Sequence, residues 1–381
     1  MRVTMLVRCL AMMRGGGETR HLSWARELTA LGVEVDFITG RPLIFGKARY
    51  RTDGFPVTTL RSPYARDFVY RFQHRRGFGR LTMQALHVDE DWFCRAAWRH
   101  IAASHRQPDV VHAHALHQAA RLRRHNTPVV IHLPGAPNPR YVADLQQADA
   151  LVADGWAAQH LPASLGCAVE RVSKGVDGER FTSVGPSVRD TLKLGDRRVV
   201  LTVARLVPIK NVALLVDAVA LLRERMAGVH LLVVGDGPEA AALRHQAARR
   251  EMTDAVTFVG YIAQDETPQY YRAADVFGLS SDFDNSPNVV LEAMASGLPV
   301  VTTDVGGVRE FVSDRLGGAV VPPKDAAALA HGLAKYLSLP TLAAEAGAFN
   351  RARTLAEFSW RASALRLLET YQRVIAARKA A

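Results

Sequence analysis

The stretch of residues 277–310 constrains the fold most, because it predicts a strand, a loop, a helix and a second strand in direct succession. An apolar run gives way to a polar, acidic loop at residues 282–287. A helix is predicted over residues 288–296, and Gly297 and Pro299 end it before the next apolar run. Strands that alternate with helices form doubly wound parallel sheets, which bind ligands where strands end. We therefore expect a binding site around this loop.

Polar groups on the loop and the helix suit a ligand that has hydroxyl and phosphate groups. Asp284 and Glu292 lie eight residues apart, so that both carboxylates can accept hydrogen bonds from hydroxyl groups in one crevice. The amide N–H groups at the helix start, those of Asn288, Val289 and Val290, suit an anion such as a phosphate. The carboxylate pair alone is equally compatible with a solvated acidic loop.

Two cations precede another helix earlier in the chain. Arg205 and Lys210 lie between a strand at residues 199–204 and a long apolar helix from Val212. A guanidinium fork and an ammonium point charge at such a place can together neutralise a diphosphate. The alternative is a surface loop with two solvated cations.

These residues together resemble the glycosyl transferases group 1 family, the retaining nucleotide-sugar transferases also called family four. The matching positions are Asp284, Glu292, Ala293-Met294-Ala295, Gly297, Pro299-Val300, Gly306-Gly307 and Glu310. Asp284 stands where many members have a glutamate. The resemblance implies an α/β protein of the GT-B fold, in which two Rossmann-like domains face each other across a cleft. It also implies retaining transfer of a hexose-type sugar from a UDP- or GDP-sugar to a hydroxyl acceptor.

The resemblance assigns roles to individual residues. It implies catalytic roles for His132, Asp284, Arg205 and Lys210. It implies nucleotide-sugar binding by Gly16, Gly17, Arg205, Lys210, Ile262, Asn288, Val289, Val290 and Glu292. His132 stands at the carboxyl end of a predicted strand, where many members contact the donor sugar through a histidine; a lone histidine also suits a purely structural role.

Glycines follow the first predicted strand, before a helix that Glu18 opens. The pattern is not GxGxxG, and no acidic ribose partner follows at the usual spacing, so NAD binding is not expected. His112 and His114 share a strand, but no carboxylate or cysteine lies at ligand spacing, and no metal site is predicted. No cofactor is predicted, because the nucleotide sugar is itself a substrate.

The length of 381 residues exceeds one ordinary core, so two domains are expected. The first spans residues 1–183 and is joined by a C-terminal helix at 361–381. The second spans residues 184–360 and binds the nucleotide sugar. Lys174 to Asp177 resemble the family's Asn-Gly-Val-Asp hinge.

Basic and aromatic residues alternate through residues 64–81, in the half of the chain that holds most of the net charge of +11. Two interpretations remain open for this segment. It suits contact with an anionic membrane, or it forms an amphipathic helix whose aromatic side chains are core. No apolar run reaches membrane-span length and no nucleic-acid motif is present. Three scattered cysteines fit a reducing cytoplasm, with peripheral contact at the inner face of the membrane under the first interpretation.

The sequence leaves the acceptor open. A lipid, a polysaccharide intermediate and a small metabolite are all compatible with it. A nucleotide-sugar epimerase on the same fold is an alternative from another enzyme class, and a binding protein without turnover is a third. The sequence does not determine the nucleotide, the sugar, the linkage or the oligomeric state.

Overall fold

The computed structural model describes residues 1–8, 10, 16–42, 53–62 and 79–380. The strands are β1 (Arg2–Leu6), β2 (Glu34–Pro42), β3 (Val57–Ser62), β4 (Val110–His114), β5 (Val129–Leu133), β6 (Ala150–Ala153), β7 (Glu170–Arg171), β8 (Arg198–Val203), β9 (Val229–Val234), β10 (Val256–Gly260), β11 (Val276–Leu279), β12 (Val300–Thr303) and β13 (Gly318–Val321).

Helices connect most of these strands. They are α1 (Gly16–Ala30), α2 (Gly79–Ala103), α3 (Val142–Leu145), α4 (Gly155–Leu165), α5 (Val212–Arg223), α6 (Ala240–Arg249), α7 (Pro268–Tyr271), α8 (Asn288–Ala295), α9 (Val308–Phe311), α10 (Ala326–Ser338), α11 (Pro340–Glu357) and α12 (Trp360–Ala380). Short 3-10 turns lie at Pro139–Tyr141 and Pro208–Lys210.

The chain divides into two compact units, unit 1 with residues 1–173 and 363–381, and unit 2 with residues 174–362. Unit 2 begins ahead of the predicted boundary at residue 184, because the intervening residues pack within it. Val176 forms an isolated β-bridge with Ser359, and the ring of Phe181 packs edge to face against the ring of Tyr271.

Unit 1 contains a parallel sheet in the order β3-β2-β1-β4-β5-β6-β7. Its central strands β1, β4, β5 and β6 are almost entirely buried, as expected when helices cover both faces of a sheet. Helix α2 packs Phe93, Ala97, Trp98 and Ile101 into this core, at the spacing of one helix face.

Helix α12 ends the chain against unit 1. The hydroxyl of Ser363 accepts a hydrogen bond of 2.7 Å from the indole of Trp24, and the hydroxyl of Tyr371 lies 2.7 Å from Nδ1 of His112. Of the predicted membrane-contacting segment, residues 64–78 lie outside the described part of the chain. Among the residues that the structure describes, no helix combines the length and apolar character that crossing a bilayer requires.

Unit 2 contains a parallel sheet in the order β10-β9-β8-β11-β12-β13. The strand order reverses between β8 and β11, as it does between β1 and β4 in unit 1. The carboxyl ends of the strands flanking such a reversal form the crevice in which doubly wound sheets bind ligands. Each unit therefore has one expected binding edge.

Candidate active site

Arg205 lies just beyond the carboxyl end of β8, at the binding edge of unit 2. Its side chain is exposed, and no ion pair or hydrogen bond joins its guanidinium to the described residues. Two glycines after β9, Gly235 and Gly237, allow that loop to pack closely against the Arg205 loop. A Cβ on Gly235 would come within 1.8 Å of the Ala204 carbonyl oxygen, and one on Gly237 within 2.3 Å of the Leu206 carbonyl oxygen.

Lys210 and Asp284 form an ion pair at the same edge. Both side chains are mostly buried, with 18% and 15% exposed. Asn211 holds the turn that carries Lys210: it adopts a left-handed φ of 43° and accepts a hydrogen bond from the Leu214 amide, which caps α5. The structure therefore brings together the predicted phosphate cation and the predicted sugar carboxylate.

The loop that carries Asp284 rests on the glycine pair of the predicted motif. The amide of Gly307 donates to the Asp284 carbonyl oxygen at 3.0 Å. A Cβ on Gly306 would come within 1.7 Å of that oxygen, and φ of Gly306 is +56°. Only glycine allows the backbone to come this close to the Asp284 carbonyl oxygen, so the Gly306-Gly307 pair stabilises the acidic loop.

Glu292 accepts a hydrogen bond of 2.8 Å from the hydroxyl of Tyr271. Burial raises the pKa of the Glu292 carboxyl, while the bond from Tyr271 and the charges of Arg180 and Lys174 act in the opposite direction. Burial also raises the pKa of Tyr271 well above its usual value, and the Glu292 charge adds to this. Lys174 in turn donates to the Ser286 carbonyl oxygen at 2.5 Å. Sequence reasoning gave neither Tyr271 nor Lys174 a place in the site.

We expect Tyr271→Phe to lower the free energy of unfolding by about 2 kcal/mol near pH 8, since a hydrogen bond to a carboxylate is lost. Because the bond lowers the pKa of Glu292, the substitution raises that pKa further. A carboxyl group whose pKa is raised on folding makes the free energy of unfolding fall as pH rises through its folded-state pKa. The difference in stability between Tyr271→Phe and wild type should therefore shrink toward pH 5. Urea unfolding at both pH values measures this. Tyr270→Phe is the matched control, and an equal loss in both variants would contradict the assignment.

Fewer backbone N–H groups at the start of α8 are available to bind an anion than predicted. The Val290 N–H donates to the Pro287 carbonyl oxygen at 3.2 Å, so it is not available to an anion, in contrast to the prediction. The hydroxyls of Ser281 and Ser286 are buried and have no hydrogen-bond partner among the described residues, and the same holds for Oδ1 of Asn288. Buried polar groups are normally satisfied, so these three atoms have unused capacity to bond water or a polar ligand.

Three further predicted residues occupy other places. Ile262 follows β10 and is half-buried against the core of unit 2. Gly16 and Gly17 are the first residues of α1 in unit 1, beside that unit's own binding edge. Their role in phosphate binding stays a prediction.

His132 lies at the carboxyl end of β5 in unit 1 and is fully buried. Its Nε2 contacts a guanidinium nitrogen of Arg20, whose other terminal nitrogen pairs with Asp154. Its Nδ1 lies 3.0 Å from Nδ1 of His114. Burial lowers the pKa of His132 well below its usual value, and the Arg20 charge adds to this. Both ring nitrogens are thus engaged within unit 1, which differs from the predicted contact with a sugar hydroxyl.

His21, His114 and His132 place one ring nitrogen each within 4.8 Å of the others. The direction of the hydrogen bonds around these histidines does not suit a metal ion. A metal-bound imidazole needs a proton on its second nitrogen, yet one nitrogen of His132 faces the donor-only guanidinium of Arg20. If the other nitrogen bound a metal, two donors would face each other.

The family model described as "Glycosyl transferases group 1" matches residues 187–353. Those residues form a glycosyl transferases group 1 domain. The match contains Arg205, the ion pair of Lys210 with Asp284, and Glu292.

Curated relatives support the same family. The GDP-mannose-dependent alpha-(1-6)-phosphatidylinositol monomannoside mannosyltransferase of Mycobacterium tuberculosis is 34% identical over 211 residues, 53% of this chain and 55% of that protein. The amylovoran biosynthesis glycosyltransferase AmsK of Erwinia amylovora is 32% identical over 181 residues, 45% of this chain and 43% of that protein. The matched regions thus span about half the length of these relatives.

Solved structures share the fold over nearly the whole chain. Sucrose-phosphate synthase from Thermosynechococcus elongatus has a TM-score of 0.77 at 22% identity and covers 99% of both chains. Anabaena Alr3699/HepE in complex with UDP has a TM-score of 0.73 at 20% identity and covers 98% of this chain and 100% of its own. The predicted fold class, with two Rossmann-like α/β domains of the GT-B type, is confirmed.

Proposed function

We propose that this protein is a retaining glycosyltransferase that moves a hexose from a nucleoside diphosphate sugar to a hydroxyl acceptor. The observation that carries the proposal is the ion pair of Lys210 with Asp284 beside the exposed Arg205, at the binding edge of a group 1 domain. A diphosphate and a sugar hydroxyl are the ligand groups that this combination of charges suits.

The cations act on the leaving group in this proposal. When the bond between the anomeric carbon and the phosphate oxygen breaks, its electron pair goes to the diphosphate, which gains negative charge. We expect Arg205, Lys210 and the helix start at Asn288 to stabilise that charge. A cation placed before the reaction begins needs no reorganisation as the charge develops, so it favours the transition state over the bound substrate.

The carboxylates act on the sugar and the ribose. Asp284 accepts a hydrogen bond from a sugar hydroxyl, and Glu292 accepts one from a ribose hydroxyl. Tyr271 orients the Glu292 carboxyl. The acceptor oxygen forms the new bond on the face that the diphosphate leaves, and the acceptor proton passes to the leaving phosphate oxygen. This route needs no covalent nucleophile and yields retention.

A GDP-sugar is the first donor to test. The mycobacterial relative named for GDP-mannose is 34% identical in its matched region, whereas the solved structure with UDP is 20% identical. A lipid or polysaccharide intermediate is the acceptor class that we propose to test first, with a small metabolite as the alternative that the sequence leaves open. Cytoplasmic location and peripheral contact with an anionic membrane through residues 64–81 also remain predictions.

We expect GDP or UDP at millimolar concentration to raise the melting temperature, while NAD has no effect, because a ligand that binds only the folded state stabilises it by mass action. The shift should persist in EDTA, since no divalent metal is proposed. A shift with NAD alone, or with no nucleotide, would contradict the proposal. Donor turnover without any acceptor, giving an isomeric nucleotide sugar, would instead identify an epimerase.

A further inference from the structure

Two cations at the start of unit 2 act on the Glu292 carboxylate. Lys174 and Arg180 both belong to the segment of unit 2 that precedes β8. Burial raises the pKa of the Glu292 carboxyl, whereas the hydrogen bond from Tyr271 and the charges of Arg180 and Lys174 lower it. A carboxylate in a buried place depends on such neighbours to stay ionised.

Lys174 contacts the loop that leads into α8. Its ammonium donates a hydrogen bond of 2.5 Å to the carbonyl oxygen of Ser286, two residues before the helix begins at Asn288. A cation near the start of a helix opposes the helix dipole, so the stability of α8 does not explain this placement. The ammonium charge instead complements the Glu292 carboxylate on the same helix.

Arg180 is connected to Glu292 through two aromatic residues. The guanidinium lies over the Phe181 ring, 5.6 Å from its centroid, and that ring packs edge to face against Tyr271. Tyr271 in turn donates to Glu292 at 2.8 Å. Arg180 also pairs with Asp265 at 3.1 Å, but the Asp265 side chain is 85% exposed. Because water screens an exposed pair, Asp265 cancels little of the Arg180 charge.

Two further charged residues belong to helices that pack against α8. Arg351 on α11 donates to the carbonyl oxygen of Ala295, at the opposite end of α8 from the Lys174 contact. Glu310 on α9 is buried. The charges that shift the pKa of Glu292 are those of Arg180 and Lys174.

We propose that Lys174 and Arg180 are positioning residues that keep Glu292 ionised, so that its carboxylate accepts hydrogen bonds from the ribose hydroxyls of a nucleoside diphosphate. This role rests on the proposed function, in which Glu292 binds the ribose. An ionised carboxylate has acceptors on both oxygens and forms stronger hydrogen bonds than a neutral carboxylic acid. The two cations therefore act on the ribose through Glu292.

The pKa of Glu292 can be measured without a ligand. Carbon-13 spectra of the protein labelled at glutamate report the protonation of each carboxyl, and Glu292→Gln assigns the signal. We expect the pKa of Glu292 to rise in Lys174→Met and in Arg180→Met. It should keep its wild-type value in Lys193→Met, which removes an exposed lysine of the same unit. An unchanged pKa in both of the first two variants would overturn the proposal.

Nucleotide affinity tests the ribose contact itself. GDP or UDP, whichever raises the melting temperature, is titrated calorimetrically between pH 5 and pH 9 beside its 2′,3′-dideoxy form. The two ligands share the base and the diphosphate, so the ratio of their affinities isolates the ribose hydroxyls and cancels phosphate protonation. We expect this ratio to fall as pH drops through the pKa of Glu292, because the protonated carboxyl is a weaker acceptor.

The same fall should occur at a higher pH in Lys174→Met, since its Glu292 is protonated sooner. At a pH where only the variant is protonated, its affinity ratio should be about tenfold below that of wild type, the effect of one charge-assisted hydrogen bond. Lys174→Arg retains the charge and a donor and should keep the wild-type ratio throughout.

Three outcomes contradict the proposal. Equal weakening of both ligands by Lys174→Met, with an unchanged ratio, would show that Lys174 binds the diphosphate directly. A lower melting temperature with an unchanged ratio in Lys174→Met and Arg180→Met would indicate a structural role. If neither GDP nor UDP binds, the ribose contact fails together with the proposed function, while the ligand-free pKa still decides whether the two cations act on Glu292.

Discussion

Replacing Asp154 by asparagine is expected to lower the free energy of unfolding of unit 1 by about 3–5 kcal/mol. Arg20 is 3% exposed and Asp154 fully buried, so the two charges are shielded from water. The asparagine has nearly the same shape but no charge, which leaves the buried guanidinium without its counter-ion. Breaking a buried pair in this way costs much more than the pair contributes over an apolar replacement.

Tryptophan fluorescence during urea unfolding measures this loss. Four of the five tryptophans lie in unit 1, namely Trp24, Trp92, Trp98 and Trp156. Arg20 itself lies over the Trp24 ring, 5.4 Å from its centroid, so the signal reports on the affected region.

An exposed pair in the same unit provides the matched control. Arg95 and Asp91 pair on α2 with side chains 49% and 26% exposed, so Asp91→Asn should cost no more than about 1 kcal/mol. The double change Arg20→Met with Asp154→Asn should recover part of the loss, because no unpaired charge remains buried. A loss under about 1 kcal/mol in Asp154→Asn would show that Arg20 does not depend on this carboxylate.

The segment of unit 2 from residue 277 to residue 310 was largely predictable because its elements follow one another closely in the chain. The helix predicted at 288–296 is observed as Asn288–Ala295, and the strand after Pro299 as Val300–Thr303. The periodicity of the apolar residues, with a glycine and a proline between the two elements, contains this information locally. The resemblance to the family then supplied the roles.

Contacts between distant residues were not predictable in the same way. Arg20 meets His132 across 112 positions and Asp154 across 134. A lone buried arginine has no local pattern, and only the order of the strands brings these side chains to one edge. Tyr271 lies 21 residues from Glu292, and nothing in its own helix indicated a hydrogen bond to a site carboxylate.

The Val290 amide shows a different limit of sequence reasoning. The general rule leaves the first amides of a helix unsatisfied. Here the chain enters α8 through Pro287, whose carbonyl oxygen already accepts from Val290. Such a 3-10-type turn at the helix start depends on the angle at which the loop enters the helix, which the order of residue types does not specify.

Lys210→Ala is expected to lower kcat for transfer by about 10²–10³-fold, because it removes a preorganised charge from the leaving diphosphate. Lys210 pairs with Asp284 in the structure, so a bound diphosphate has to share this cation with a carboxylate. Asp284→Asn should therefore leave the affinity for a free nucleoside diphosphate unchanged or raise it, while it lowers transfer. Lys210→Ala should weaken both.

Calorimetric titration with GDP and UDP, alongside initial rates with the corresponding sugar nucleotides, separates these effects. Arg205→Ala should weaken nucleoside diphosphate binding, whereas Arg225→Ala, which removes an exposed arginine of the same unit, should not. The contrary result would be that Asp284→Asn weakens the binding of the free nucleoside diphosphate as strongly as Lys210→Ala does. That result would mean that the carboxylate positions Lys210 rather than competing with the diphosphate for it. If Arg205→Ala and Lys210→Ala both kept full activity, the leaving-group role of the two cations would be excluded, because no transfer from a diphosphate could then depend on them.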